Sequence, residues 1–416
     1  MKHGRTDLAL FGGDRAFARP VQVGRPSAVI RSKFFDRLNQ ALDSQWLSNG
    51  GPLVREFEER VARLAGVRHC VATCNGTAGL QILARAIGLT GEVVMPSMTF
   101  AATAHAMHWL GLEPVFVDVD PRTGNLDPAL VPAAVTPRTS AILGVHLWGR
   151  PCPVDELERV AADLGLPLFY DAAHAIGCTA GGRPVGGFGR AEVFSFHATK
   201  VAHAFEGGAV VTDDDTLAHR LRALQNFGIG LSDDPAAAAG GTNAKMSEAA
   251  AAMGLTSLDT FEATVLHNRD NHTRYRACLA DLPGVQVVDF DRHERNNYQY
   301  VIVEVDAAVT GIHRDLLMDV LSAENIRTRP YFSPACHQLA PYRDRPGAAL
   351  PHTERLAERV LSLPTGTSVT TEDVERICDV IRLAVTEGHA VTAAARAAAA
   401  QMPVPTPLTP SIGPHA

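Results

Sequence analysis

From about residue 54 the chain alternates two patterns. Apolar residues recur at helical spacing over one segment, and a short run of Val, Ile, Leu or Phe with little polar interruption follows. Strands that are apolar throughout belong inside a parallel sheet covered on both faces, with the intervening helices as its crossovers, which is the doubly wound α/β pattern. Strands are expected at 69–73, 92–95, 114–119, 140–145, 168–171, 191–197 and 208–212, and helices at 53–64, 76–87 and 154–164. Residues 93–112 carry no charged side chain, but Pro96, His105, His108 and Gly111 interrupt them. That stretch reads as strand, loop and packed helix rather than as a membrane span.

Beyond the sheet, residues 230–243 (GLSDDPAAAAGGTN) form a Gly-, Asp- and Ala-rich loop, and 246–276 reads as one or two helices leaving the first domain. Further strands are expected at 285–288 and 298–305, with helices at 312–324 and 371–387. The expected division is an N-terminal arm and active-site loop over 1–50, a large α/β domain over 51–255, a smaller C-terminal α+β domain over 256–388 and a tail over 389–416. The tail is Ala-rich and then carries five prolines in its last fourteen residues, so it has nothing with which to build a core and is expected to be mobile.

A chain of 416 residues, 46% of them hydrophobic, can bury a core of that size. A net charge of -7 gives no general attraction to phosphate backbones, and no run of Lys and Arg interleaved with aromatics marks a nucleic-acid surface. Seven cysteines without a CxxC pair read as reduced thiols, neither a disulfide framework nor a zinc site, and no metal is expected. The N-terminus is charged where a secretory signal needs an apolar core, so the expectation is a cytoplasmic protein with no nucleic-acid or membrane partner.

Candidate chemistry lies in LPLFYDAAHAIG and EVFSFHATK, each at a point where a strand hands over to a loop. The carboxyl ends of parallel strands line one crevice, so Asp171 and Lys200 can share a pocket although 29 positions separate them. Pyridoxal 5'-phosphate (PLP) asks three things of a protein: an amine to hold its aldehyde, an anion opposite its pyridine nitrogen, and a phosphate cradle. Lys200 offers the amine, which loses its proton more readily when desolvated. Asp171 offers the anion, keeping the ring nitrogen protonated so that the ring can draw in electrons. Asn75-Gly76-Thr77-Ala78, where a strand runs into a helix that starts at glycine, offers backbone N–H groups and the positive end of a helix dipole. Thr77 and Ser195 add hydroxyls, Phe100 is placed to stack on the ring, and His174 to pack on its other face. Singly these residues have plainer readings as a solvated lysine, a helix cap and a core phenylalanine; their joint order on successive strand ends sets the constellation apart.

The motifs WLSNGGPLVREFEERVARLAGV, ATCNGTAGLQ, MPSMTFAATAHA, VFVDVD, HLWGRP, FYDAAHAIG, VFSFHATK, EGGAVVT and TNAKMSEAAAAMGL, in that order, resemble the DegT-type sugar aminotransferases over residues 25–385. That family is PLP-dependent and of fold type I, with a mostly parallel sheet and helices on both faces. The resemblance implies that Lys200 is the Schiff-base lysine, Asp171 the pyridine partner and Phe100 the stacking aromatic, with Gly76, Thr77 and Ser195 on the phosphate. It also implies that Asn243 reaches the phosphate of a neighbouring subunit's cofactor, which makes the enzyme a homodimer with shared active sites. His337, Trp46 and Asn49 match positions bordering the substrate. Within the family, GVHLWGRPC, KMSEAAAAMGL and NNYQYVIVEVD are most similar to enzymes that move an amino group from L-glutamate to C4 of dTDP-4-keto-6-deoxyglucose in antibiotic sugar pathways. The retained lysine sets the chain apart from relatives that deoxygenate sugars.

Other readings are a C3 aminotransferase on a dTDP-3-keto sugar, a non-catalytic sensor on the same fold, and a cysteine desulfurase using Cys336 beside His337. A nucleotide-sugar dehydrogenase or epimerase would need a GxGxxG after an early strand, and none is present.

Overall fold

The computed structural model describes residues 2–231, 240–345, 347 and 349–401. Its centre is a seven-stranded sheet of β1 (His69–Thr73), β2 (Glu92–Pro96), β3 (Glu113–Val117), β4 (Thr139–Val145), β5 (Leu168–Asp171), β6 (Glu192–Ser195) and β7 (Gly208–Thr212), in the order β1-β7-β6-β5-β4-β2-β3. Pairs β2–β3, β2–β4, β4–β5 and β5–β6 are parallel. Strand β7 runs antiparallel to both of its neighbours. The link from β6 to β7, residues 196–207, contains no helix to carry a crossover, and the chain simply reverses there. That link bears Lys200.

The strands read as apolar throughout because the sheet buries both faces. Val93 and Met95 of β2 and Phe169 of β5 join one core, whereas Val94 and Tyr170 join another on the opposite face. Helices α1 (Arg31–Ser44) and α2 (Pro52–Ala65) lie with the second of these cores, and α3 (Gly76–Ile87) and α4 (Ala101–Trp109) with the first. Lys33, Arg37 and Arg60 converge on Asp259 at 3.4, 2.9 and 2.8 Å, tying α1 and α2 to the helix Glu248–Leu258.

A second, antiparallel sheet orders β8 (Val285–Val287), β9 (Val301–Val305) and β10 (Val360–Leu363) with β9 in the middle. The helices Phe261–Leu279, Arg314–Ala323 and Thr371–Thr386 cover it around Tyr275, Val303, Leu317, Ile377 and Ile381. Leu8 and Phe17 of the N-terminal arm are buried in this same core, and Val21–Gln22 pairs in parallel with Ile326–Arg327. The first residues of the chain therefore complete the layer formed by its last third.

Expected and observed elements differ where tertiary contacts override local pattern. The strand expected at 298–305 begins at Val301, because Asn296 and Asn297 turn the chain through side-chain bonds to the Tyr298 and Gln299 amides, with Tyr298 at φ 48°. Strand β10 was not expected, since VLSL follows the helix Pro351–Arg359 with no intervening turn. The span 246–276 resolves into two helices, Glu248–Leu258 and Phe261–Leu279. The tail expected to be mobile from 389 starts instead as a helix, Gly388–Gln401. Val391 is fully buried in the second core, and Thr392 Oγ donates to the Gly311 carbonyl at 2.7 Å. A single buried valine and one hydrogen bond, both in the first turns, dock this alanine-rich helix. Residues 402–416, and 232–239 of the Ala-rich loop, lie outside the described residues.

That docking predicts that Val391→Ala lowers unfolding stability by about 2 kcal/mol, from lost burial and the cavity left behind. Urea unfolding of the two proteins checks it, with a shifted midpoint at an unchanged slope expected.

Candidate active site

A cavity of about 360 Å³ opens at the carboxyl edge of the large sheet. It brings together Asp171, Lys200, Gly76, Thr77, Ser195, His174 and Phe100, and its remaining wall includes Tyr300, Tyr331 and Phe332 from the C-terminal layer.

Asp171 ends β5, held in register between Val145 of β4 and Val193 of β6, and is 7% exposed. Its Oδ2 accepts from Thr103 Oγ at 2.8 Å and its Oδ1 from the Ala173 N–H at 3.0 Å. Burial pushes the carboxyl above its ordinary range, and these hydrogen bonds with the Lys200 charge offset only part of that. Across the cavity, burial pushes the Lys200 amine down to about 8 against the attraction of Asp171. Each group sits where its own charge is disfavoured and its partner's charge is welcome. Lys200 Nζ lies 3.1 Å from the Tyr300 hydroxyl.

Helix α3 supplies the cradle. Asn75 caps it by accepting from the Ala78 N–H at 2.8 Å, which leaves the first-turn amides of Gly76 and Thr77 without intrahelical partners at the positive end of the dipole. A Cβ on Gly208 would fall 2.4 Å from the Asn75 carbonyl carbon, so glycine there is what lets β7 pass beneath the cradle.

His174 is buried, and its Nδ1 accepts from the Trp148 N–H at 3.2 Å, which places its own proton on Nε2. Burial and the nearby Lys200 hold this histidine well below its ordinary value, so it is neutral. Its ring stacks on Phe332 (5.8 Å, 13°) and meets Tyr300 edge-on. Trp148 takes a left-handed backbone at φ 56°, and its indole N–H donates to the Tyr331 carbonyl, so one strained residue fixes both His174 and Tyr331. An amine, an anion and an anion cradle share one cavity, and the residues present fit PLP.

The family model for DegT/DnrJ/EryC1/StrS aminotransferases matches residues 28–382. The chain belongs to this family. A curated relative from Escherichia coli, dTDP-4-amino-4,6-dideoxy-D-glucose transaminase, is 35% identical over 367 residues, 86% of this chain and 97% of the relative. A crystal structure of DesI in the presence of its TDP-sugar product superposes with a TM-score of 0.92 at 67% identity, over 94% of this chain and 99% of DesI. DesV from S. venezuelae superposes at 0.79 with 30% identity, over 87% and 99%. The chain is a PLP-dependent sugar aminotransferase.

Four residues singled out in the sequence lie outside this cavity. Asn243 is exposed and bridges to Asn226. Trp46 is 42% exposed with the Arg55 guanidinium 5.0 Å from its ring, and Asn49 borders a separate polar pocket with Arg55, Arg222 and Lys245. His337 is held by Ser97 Oγ at 2.7 Å on Nδ1 and by Glu354 at 3.3 Å on Nε2. Cys336 beside it is buried, its Sγ facing the Thr99 carbonyl, and burial pushes its thiol up to about 12. A thiol so far from ionising at neutral pH gives the desulfurase reading no nucleophile. Sequence reasoning missed Thr103, Tyr300, Tyr331 and Phe332. Within FAAT, NNYQY and RPYF nothing local marks them, because their partners lie far along the chain: Thr103 meets Asp171, and Tyr300 meets Lys200.

Two expectations follow. An unfolded lysine titrates near 10.5 and the folded one near 8, so below 8 the buried amine costs stability, and that cost is relieved as pH rises toward 10.5. Lys200→Met should therefore stabilise the cofactor-free protein below pH 8, with the gain fading by pH 10.5, as read by thermal unfolding across pH. Thr103→Val removes one hydrogen bond to Asp171 and should weaken cofactor retention roughly fivefold to tenfold, measured by equilibrium dialysis.

Proposed function

We propose that this enzyme transfers the amino group of L-glutamate to C4 of dTDP-4-keto-6-deoxyglucose, as a cytoplasmic homodimer in an antibiotic sugar pathway. The observation that carries the reading is the enclosure of Lys200, Asp171 and the α3 cradle in one cavity. The nucleotide and ring position rest on relatives: the E. coli protein is a dTDP-4-amino-4,6-dideoxy-D-glucose transaminase, and DesI, at 67% identity, was crystallised with a TDP-sugar product. Bound PLP supplies a carbonyl that exchanges an amino group and a ring that draws in electrons.

The chain's own residues do the rest. Lys200 holds the cofactor and, when free, takes up and returns the substrate proton, a task suited to an amine titrating near 8. Asp171 keeps a proton on the ring nitrogen; a cation there draws the carboxylate to its ionised form despite burial. Gly76, Thr77 and Ser195 bind the phosphate, Phe100 covers the ring, and neutral His174 offers its Nε2–H to an oxygen acceptor.

Phe100 is 56% exposed at the cavity mouth, as a side chain waiting for a flat partner should be. Trp46, Leu47, Phe205 and Phe227 are also large, apolar and at least 42% exposed, which suits a face covered by a second copy, with Asn243 supplied to that copy's phosphate. Trp46, Asn49 and His337 then border the substrate in the assembled dimer. All seven cysteines are free, which suits a reducing compartment.

Glutamate and a panel of dTDP-3-keto and dTDP-4-keto sugars, with products read by mass spectrometry and NMR, test the proposal. A 4-amino sugar is expected, and Lys200→Ala should lose at least about a thousandfold in turnover. A 3-amino product would move the reacting carbon, and a protein that binds PLP yet turns over no sugar would be a sensor.

A further inference from the structure

We propose that Tyr300 is a positioning residue for Lys200, its hydroxyl holding the lysine nitrogen whenever that nitrogen is not bonded to the cofactor. The inference rests on reading Lys200 as the cofactor-holding amine and adds to it what controls that amine in between.

The geometry starts with the segment NNYQY. Asn296 Nδ2 donates to the Gly149 carbonyl at 2.6 Å, and Asn297 Nδ2 to the carbonyls of His174 and Ile176 at 2.9 and 3.1 Å. Gln299 Oε1 accepts from the Val201 N–H at 2.7 Å. Four side-chain bonds therefore fasten this entry to β9 onto the loops of the large sheet, the last on the residue after Lys200. Tyr300 follows directly, 7% exposed, with its ring against His174 at 4.8 Å and Tyr331 at 5.9 Å. A phenol so confined has one position for its oxygen, 3.1 Å from Lys200 Nζ.

Lysine needs such a partner because its four-carbon stem has many rotamers, and a proton carrier must return to one place. A phenol suits the task in both states of the carrier, since it accepts from an ammonium and donates to a neutral amine. Burial holds the Tyr300 hydroxyl well above its ordinary value, so it remains a phenol at working pH. Through Tyr300 the C-terminal layer thus reaches the chemistry at the lysine itself.

Tyr300→Phe, in the full-length protein, removes the oxygen and keeps the ring packing. In the cofactor-free state, the pH dependence of Lys200 modification by an amine-directed reagent, located by peptide mass spectrometry, reports the contact directly. The half-point should move down, because the bond from an ammonium to the phenol oxygen is stronger than the bond made to a neutral amine. With PLP bound, the single-turnover rate with glutamate should fall about tenfold while the glutamate dissociation constant stays unchanged. An unshifted Lys200 half-point in a folded variant overturns the proposal. If the aminotransfer reading itself were wrong, the wild-type protein would show no turnover, while the Lys200 titration would still respond to the substitution.

Discussion

A lysine amine and an aspartate carboxylate kept from water at the edge of one sheet are the constraint on which the rest of this structure depends. Neither group favours its charged form there, and the two are tolerated because each is partnered. Asp171 has Thr103 and the Ala173 amide, and Lys200 has Tyr300. The same desolvation that costs stability lowers the affinity of the amine for its proton into the range where proton transfer works near neutral pH. Stability and chemistry are set against each other at a single pair of positions, and under the proposed roles a bound cofactor would reconcile them by offering a cation to the carboxylate and engaging the amine.

Holding that pair requires both layers of the molecule. The large sheet positions Asp171 by strand register and Lys200 on the reversal between β6 and β7. The C-terminal layer then closes the cavity with Tyr300, Tyr331 and Phe332, and fastens itself through Asn296, Asn297 and Gln299. That layer is not built from the C-terminal residues alone. Leu8 and Phe17 fill its core from the other end of the chain, and Val391 seals it from the helix Gly388–Gln401. Small antiparallel sheets of three strands bury little area on their own, and recruiting both chain ends enlarges this one's core.

Much of the site was legible because its main groups sit at strand ends and a helix start, where local signals are strongest. Asp171 and Ser195 end apolar runs, Lys200 follows one, and Gly76 opens a helix behind a capping asparagine. Thr103 and Tyr300 were not legible, because nothing local distinguishes a threonine in a helix or a tyrosine before a strand from any other. Their roles come from partners 68 and 100 positions away. Val391 escaped for the same reason: one valine in an alanine run carries no period, and only the pocket it fills gives it weight.

Taken alone, the sequence determined the order and kind of most elements, the buried character of the central strands, the cofactor chemistry and a set of candidate residues, most of which line one cavity. Those follow from periodicity, turn residues and short motifs, all of which are properties of neighbouring positions. Tertiary structure alone decided how strongly Asp171 and Lys200 are desolvated, which side chains hold them, and that both ends of the chain enter one core. Desolvation and packing are sums over residues distant along the chain, and no local pattern contains them.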